Sequence, residues 1–343
     1  DKFAKGLATV DDLSEDELEL YHIHIKNLAF AKEYKDFTGR DWLSLYPHRS
    51  KPIYNMWPAD FFGQQHWVTT KESHFIREPP EDLLGKLTKN EMHRDRTIHH
   101  DHRQLDQYRS QEDEMMLNMT LTVLSVAPRV YEIQNFLSHV EVDHIVHMAT
   151  GMKLSISTTS GSDGHDRRRD ETTRTSRNSW VNRNRSPIMD SIYGRAADLM
   201  QIDEALLRSR GKGENEKFGL NVGHTRTNAE ELQLVHYDVT EQYTPHHDFS
   251  YPSVRLDGQP ARFATLLLYL NEGMEGGETT FPRWKNAHTK GKLKVKPEVG
   301  KAILFYDQLP DGNMDDLSQH AAEPVKKGEK WLINLWTWDP SFH

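Results

Sequence analysis

The sequence predicts an α+β protein: a jelly-roll barrel of the cupin kind, flanked by helices and preceded by an N-terminal extension. Three observations carry that prediction. From about residue 230 the apolar residues alternate with period two in short runs, the signature of half-buried strands. Gly258, Gly276-Gly277, Pro297, Gly300, Gly312 and Gly328 punctuate those runs, and many short strands separated by turns build a sandwich or a barrel. Between 138 and 205 the apolar spacing is helical instead, so helices there would cover one sheet.

We read the chain as residues 1–120, an extension of unassigned role, and residues 121–343, the globular domain that holds the barrel. In the extension, Ser14-Glu15-Asp16-Glu17 forms a capping-box pattern, and Leu18, Tyr21, Ile25 and Leu28 follow at helical spacing. Trp42, Tyr46, Trp57, Phe61, Phe62 and Trp67 then lie among Pro and Gly without a period, which predicts irregular structure packed on something larger. Residues 91–115 are mostly polar. In the second domain, Ser138-His139-Val140-Glu141 opens a helix whose stripe is Val140, Ile145, Val146 and Ala149 and whose stop is Gly151. His144 and His147 share a face of it and read as surface histidines. Residues 155–170 are small, polar and glycine-bearing, which predicts a mobile loop, and Arg167 to Arg169 read as solvated. Ser186-Pro187 opens a second helix, with Ile188, Ile192 and Leu199 on its buried side. Strands are expected at Leu232–His236, Phe263–Leu270, Leu293–Val295, Ala302–Tyr306 and Trp331–Trp336.

Composition narrows the function. The net charge of −9 argues against nucleic acid as the main partner, because phosphate-binding proteins are usually basic. The apolar runs, such as Thr265–Leu270, are too short to cross a bilayer. With no cysteine there are no disulfides and almost no room for a closed zinc site, which ordinarily uses thiolates. Asn118-Met119-Thr120 and Asn184-Arg185-Ser186 are glycosylation triplets of the kind that also arises by chance.

The chemistry centres on His246-His247-Asp248. In extended backbone His246 and Asp248 point to one face while His247 points away. A later strand can bring His320 back across the barrel. Two imidazoles and one carboxylate leave three positions of an octahedral iron open, as an oxygen-activating centre requires. Lys330 leads directly into an apolar strand, and an inward ammonium there needs an acidic partner, which a dicarboxylic co-substrate supplies. A second His-x-Asp, in His99-His100-Asp101-His102, sits in a polar run with Arg94, Arg96 and Arg103 and reads as a solvated surface.

The segment from about 128 to 338 resembles the prolyl 4-hydroxylases, which are 2-oxoglutarate- and iron(II)-dependent dioxygenases. The resemblance is carried by Arg174-Thr175-Ser176 through Trp180; Leu232-Gln233 through His236-Tyr237; Tyr243 with His246-His247-Asp248; Arg262 through Tyr269-Leu270; Gly276-Gly277-Glu278-Thr279; and His320-Ala321-Ala322 with Pro324-Val325, Gly328 and Lys330-Trp331, all in family order. It implies a double-stranded β-helix, Fe(II) on His246, Asp248 and His320, and 2-oxoglutarate held by Lys330 with Tyr237 and Thr279. It further implies Tyr243 and Arg262 at the target ring, and Arg174, Ser176 and Trp180 on a loop closing over the peptide, with Phe249 to Pro260 as a second lid. The co-reactants would be O2 and 2-oxoglutarate, with ascorbate as reductant, and the partner a proline-containing peptide already extended as polyproline II. The family's secreted members point to the endoplasmic reticulum, while the lack of cysteine leaves the cytoplasm open. Three departures stand out: Val142 and Glu323 occupy positions where secreted members often carry cysteines, and Trp338 stands where many carry a substrate-facing histidine. The rival readings are a related dioxygenase acting on another peptidyl residue or a small molecule, and a non-catalytic metal-binding barrel. Asp248 and Lys330 argue against the second.

Overall fold

The computed structural model describes residues 54–76, 116–157, 173–208, 227–249, 262–284, 291–310 and 314–339, together with scattered helical positions between 15 and 36 and two short strand pieces at 159–160 and 167–168. The second His-x-Asp at 99–102, most of the 155–170 loop and nearly all of the second lid lie outside the described residues.

Two antiparallel sheets form the barrel. The strands are β1 (Gln65–Lys71), β2 (Met116–Ser125), β3 (Val130–Ile133), β4 (Ser155–Ile156), β5 (Arg177–Val181), β6 (Leu232–Tyr237), β7 (Tyr243–His246), β8 (Arg262–Tyr269), β9 (Thr279–Phe281), β10 (Leu293–Val295), β11 (Ala302–Tyr306), β12 (His320–Ala322) and β13 (Lys330–Trp338). The large sheet runs β1-β2-β3-β11-β8-β13-β6-β5-β4 and the small one β10-β9-β12-β7. The strands expected from alternation are all present. The stretch around Trp67 is a correction: its aromatic residues conceal an edge strand, β1, that pairs with β2 from Gln65↔Thr122 to Lys71↔Met116. Trp67 faces out, 67% exposed, while Val68 and Thr70 turn inward, so the most conspicuous residue of the strand is the one that does not report its buried face.

The central strands β8 and β13 are buried on both faces, and the two faces do different work. Ala264, Leu266 and Leu268 of β8, with Ile333 and Leu335 of β13, belong to the core shared with the helices. Leu267 and Tyr269 of β8, with Leu332 of β13, belong to a second core between the sheets, which also holds Phe281, Phe305 and Val325. Period two then fixes the rest: Lys330 and Trp336 have the parity of Leu332, and Thr265 that of Leu267, so all three point into the barrel.

Helices α1 (His139–Thr150) and α2 (Pro187–Met200) pack on the outer face of the large sheet. Ser138 caps α1 in a capping box with Glu141, and Ser186 caps α2 with Pro187 in its first turn. His144 is a correction: it is buried, not on the surface, and its Nε2 lies 3.0 Å from the Ser186 hydroxyl that caps the other helix. Glu141 and Arg195 form a fully buried pair between the helices, Arg195 Nη1 reaching both carboxylate oxygens at 2.8 Å. The same carboxylate accepts from the backbone N–H of Ile76 at 2.9 Å, which ties the segment following β1 to the helical layer. Glu141→Ala leaves a buried guanidinium without its counter-charge and is expected to destabilise the fold by about 3–5 kcal/mol. The midpoint of urea unfolding measures this, and an unchanged midpoint would refute it.

Candidate active site

The inner ends of β7, β8, β12 and β13 converge at one place. β12 pairs with β7 with His320 opposite His246, so two residues distant in sequence become cross-strand neighbours. Their ring centroids are 4.3 Å apart. Asp248 follows β7, its Oδ1 3.7 Å from His246 Nε2 and its Oδ2 3.6 Å from His320 Nε2. One ligand atom from each of the three residues lies within 4.8 Å of the other two.

The tautomers suit a metal. His246 Nδ1 lies 2.8 Å from the Thr244 carbonyl and His320 Nδ1 lies 3.1 Å from the Ser318 carbonyl. A ring that donates Nδ1–H to a carbonyl leaves its Nε2 lone pair free, here facing Asp248. Burial, then the facing His320, keeps His246 neutral by holding its pKa well below the usual histidine range. Burial alone would raise the Asp248 carboxyl; the facing imidazoles, Arg262 and the Thr265 hydroxyl outweigh it and hold the group well below its ordinary value. With both Nε2 atoms turned toward the Asp248 carboxylate and no thiolate present, the set of two imidazoles and one carboxylate fits a ferrous ion with three open positions. His247 turns away, its Nε2 3.1 Å from the Asp316 carbonyl, as period two requires.

Deeper in the barrel lies the cationic end. Lys330 is 1% exposed and its Nζ has no hydrogen-bond partner among the described residues. Tyr237 and Tyr269 wall it, with ring centroids 5.4 and 5.7 Å from Nζ. The Tyr269 hydroxyl donates to Thr279 Oγ1 at 2.8 Å. Desolvation draws the Lys330 pKa down to about 7. A buried ammonium with no partner is costly, and a free carboxylate entering between Tyr237, Tyr269 and Thr279 would supply one. The orphaned Nζ thus fits the distal end of a dicarboxylate whose other end reaches the three metal ligands.

The remaining predicted residues lie around this axis in different ways. Tyr243 stacks on His246 at 3.4 Å between centroids, and the Arg174 guanidinium lies 4.5 Å from the Tyr243 centroid. Arg174 and Ser176 are buried, Arg174 donating to Ser176 at 3.1 Å and to Gln233 at 3.3 Å; they support the pocket from within rather than presenting themselves on an exposed loop. Trp180 is 44% exposed with its ring 6.0 Å from that of Trp336. Arg262 pairs with Glu230 through two contacts, 2.6 and 3.0 Å, donates to the Asp248 carbonyl at 3.1 Å and stacks on Trp336 at 3.9 Å. A second group able to hold a cation, His236 with Asp238 and Glu329, faces outward, but Asp238 is already paired with Arg177.

The family model described as the 2OG-Fe(II) oxygenase superfamily matches residues 232–338. Probable prolyl 4-hydroxylase 8 of Arabidopsis thaliana is 32% identical over 230 residues, 63% of this chain and 70% of that protein. The chain belongs to the prolyl 4-hydroxylase family. Probable prolyl 4-hydroxylase 7 of the same plant is 30% identical over 233 residues, 65% of this chain and 66% of that protein. Among solved structures, a viral collagen prolyl hydroxylase from Paramecium bursaria Chlorella virus-1, in complex with 2-oxoglutarate, matches at 24% identity, over 61% of this chain and 95% of that one, with a TM-score of 0.44.

Within this family member, sequence reasoning passed over three inward residues as part of the site. Trp336 Nε1 donates to Asp248 Oδ2 at 2.9 Å, the Thr265 hydroxyl donates to the same oxygen at 2.6 Å, and Tyr269 walls Lys330. All three sit in apolar runs and read as core. Trp336 shares the strand face of Lys330, but that places it inside the barrel without assigning its indole a partner; Thr265 and Tyr269 share a face with no residue assigned from the sequence.

Proposed function

We propose that this chain hydroxylates peptidyl proline at C4, coupling that reaction to the oxidative decarboxylation of 2-oxoglutarate to succinate and CO2. The observation that carries the reading is the pairing of an open two-imidazole, one-carboxylate cluster with a buried, unpartnered ammonium inside the same barrel. His246, Asp248 and His320 would hold Fe(II), which when bound supplies the activation of O2 against the C–H bond. Lys330, with Tyr237 and Thr279, would bind the distal carboxylate of 2-oxoglutarate and so set the keto-acid end toward the metal ligands. The apolar walls from Phe281, Phe305 and Leu332 exclude water from that pocket. Tyr243 and Arg262 are assigned to the wall met by the target ring; the stack of Tyr243 on His246 supports a place for that ring close to the metal ligands. Trp180 is assigned to the peptide side, where its exposed ring offers a flat surface to a polyproline II segment, a form that loses little entropy on docking, while buried Arg174 and Ser176 support the Tyr243 wall from behind. Ascorbate is proposed as the accessory reductant, on family membership alone.

The test is a panel of proline-rich peptides incubated with the protein, Fe(II), 2-oxoglutarate and air. The expected result is a gain of one oxygen atom mapped to proline, dependent on both additions and matched by succinate release. Turnover on another residue, or on none of the peptides, would overturn the proline assignment.

A further inference from the structure

Resting on the metal-site reading above, we propose that Trp336 and Thr265 are positioning residues that fix Asp248 as a ligand through one oxygen: both donate to Oδ2, and Oδ1 is left for the metal. The Thr265 hydroxyl and the Trp336 indole N–H lie 2.6 and 2.9 Å from Oδ2. Two strong donors saturate the in-plane lone pairs of one carboxylate oxygen. Oδ1 keeps its own and lies 3.7 Å from His246 Nε2.

The donors are themselves held. Trp336 and Thr265 are directly paired across β8 and β13, so one rung of the ladder presents both groups. Trp336 is 5% exposed and Thr265 1% exposed. Arg262 lies over the indole and also donates to the Asp248 backbone carbonyl at 3.1 Å, which fixes the main chain from which the carboxylate extends. On the other side of Thr265, Asp307 Oδ2 is 3.2 Å from the hydroxyl. A hydroxyl carries one hydrogen, and the shorter contact claims it for Asp248.

The consequence is an open coordination position. A carboxylate free to turn would present Oδ1 to the metal only part of the time, which weakens the site, and any turn that offered both oxygens would close a position that co-substrate and O2 need. One-oxygen coordination keeps two imidazoles and a single carboxylate oxygen on one side of the metal. Outer partners of this kind are ordinarily worth 10–100-fold in metal affinity or activity.

The test uses Mn(II) as the probe, followed by the loss of the free-ion magnetic resonance signal, on the metal-free protein. Trp336→Phe keeps a ring under Arg262 and removes only the donor; Thr265→Val is isosteric and removes only the hydroxyl. Each is expected to weaken Mn(II) binding about tenfold or more, with Thr265→Ser restoring it and the unfolding midpoint of the metal-free protein changed far less than the affinity. Asp248→Ala serves as the reference for the metal site itself. If Asp248→Ala loses Mn(II) while Trp336→Phe and Thr265→Val bind it as the parent does, the positioning role is overturned and the metal site stands. If Asp248→Ala binds Mn(II) unchanged, the metal-site reading fails and the inference falls with it.

Discussion

Asp248→Ala is expected to abolish metal binding and hydroxylation together, the largest single effect at this site. The carboxylate is the only negative ligand among the three, and it faces both imidazoles at 3.6–3.7 Å. Removing it leaves two imidazole nitrogens without a charged ligand, which hold a divalent ion weakly, and strands the Trp336 and Thr265 donors that now end on Oδ2. The loss should far exceed the roughly 10–100-fold typical of an outer-shell partner. Asp248→Asn separates charge from shape: it keeps an oxygen acceptor in the same place and should retain the fold while still losing most of the affinity. Titration with Mn(II) reads the first effect, and succinate release the second. Binding at parental affinity in Asp248→Ala would remove the basis for an iron enzyme.

How much of this could be read before the fold was known follows from the range of each signal. The His-x-Asp spacing is local, and the period of a strand is enough to put His246 and Asp248 on one face and His247 on the other. Lys330 was legible because a lysine at the head of an apolar strand is a local contradiction that demands a partner. Strands β6, β8, β11 and β13 were legible because alternation and turn residues are local too. Thr265 and Trp336 were not. Inside an apolar run a threonine reads as a β-branched strand former and a tryptophan as core; that their polar atoms meet one carboxylate oxygen depends on the pairing of β8 with β13, which no local pattern encodes. The Glu141–Arg195 pair was not legible for the same reason: the capping box explains Glu141 locally, and its second partner appears only when α1 and α2 are set side by side. His144 looked exposed because it lies beside His147 on the helix, and only the neighbouring cap at Ser186 shows that its face is covered. In β1, Trp67 faces solvent and Thr70 faces the protein, so hydrophobicity pointed to the wrong side of the strand.

Lys330→Met should weaken 2-oxoglutarate binding by roughly 30- to 4,000-fold, since removing one member of a buried charged pair costs about 2–5 kcal/mol. Methionine keeps the volume between Tyr237 and Tyr269, so the loss reports charge and not a cavity. Isothermal titration of 2-oxoglutarate into the Mn(II)-loaded protein measures it, and an unchanged Kd would show that the ammonium does not meet the co-substrate. The same residue predicts a pH dependence. Its pKa is drawn down to about 7 by desolvation in the co-substrate-free protein, below the value of about 10.4 for a free lysine. Binding a dianion requires the protonated form, so a proton is taken up whenever 2-oxoglutarate binds above pH 7. The apparent Kd should therefore rise toward tenfold per pH unit above about 7 and level off below it, and Lys330→Met should remove that slope. The linkage to folding has the opposite sign. Between about 7 and about 10.4 the unfolded chain holds more protons on this residue than the folded one, so this group makes the co-substrate-free fold more stable as pH rises through that window. Below the window the burial of an unpaired ammonium costs a few kcal/mol, and there Lys330→Met should unfold at a higher temperature than the parent. One substitution that raises stability at low pH while destroying co-substrate affinity is the mark of a residue kept for binding and not for the fold.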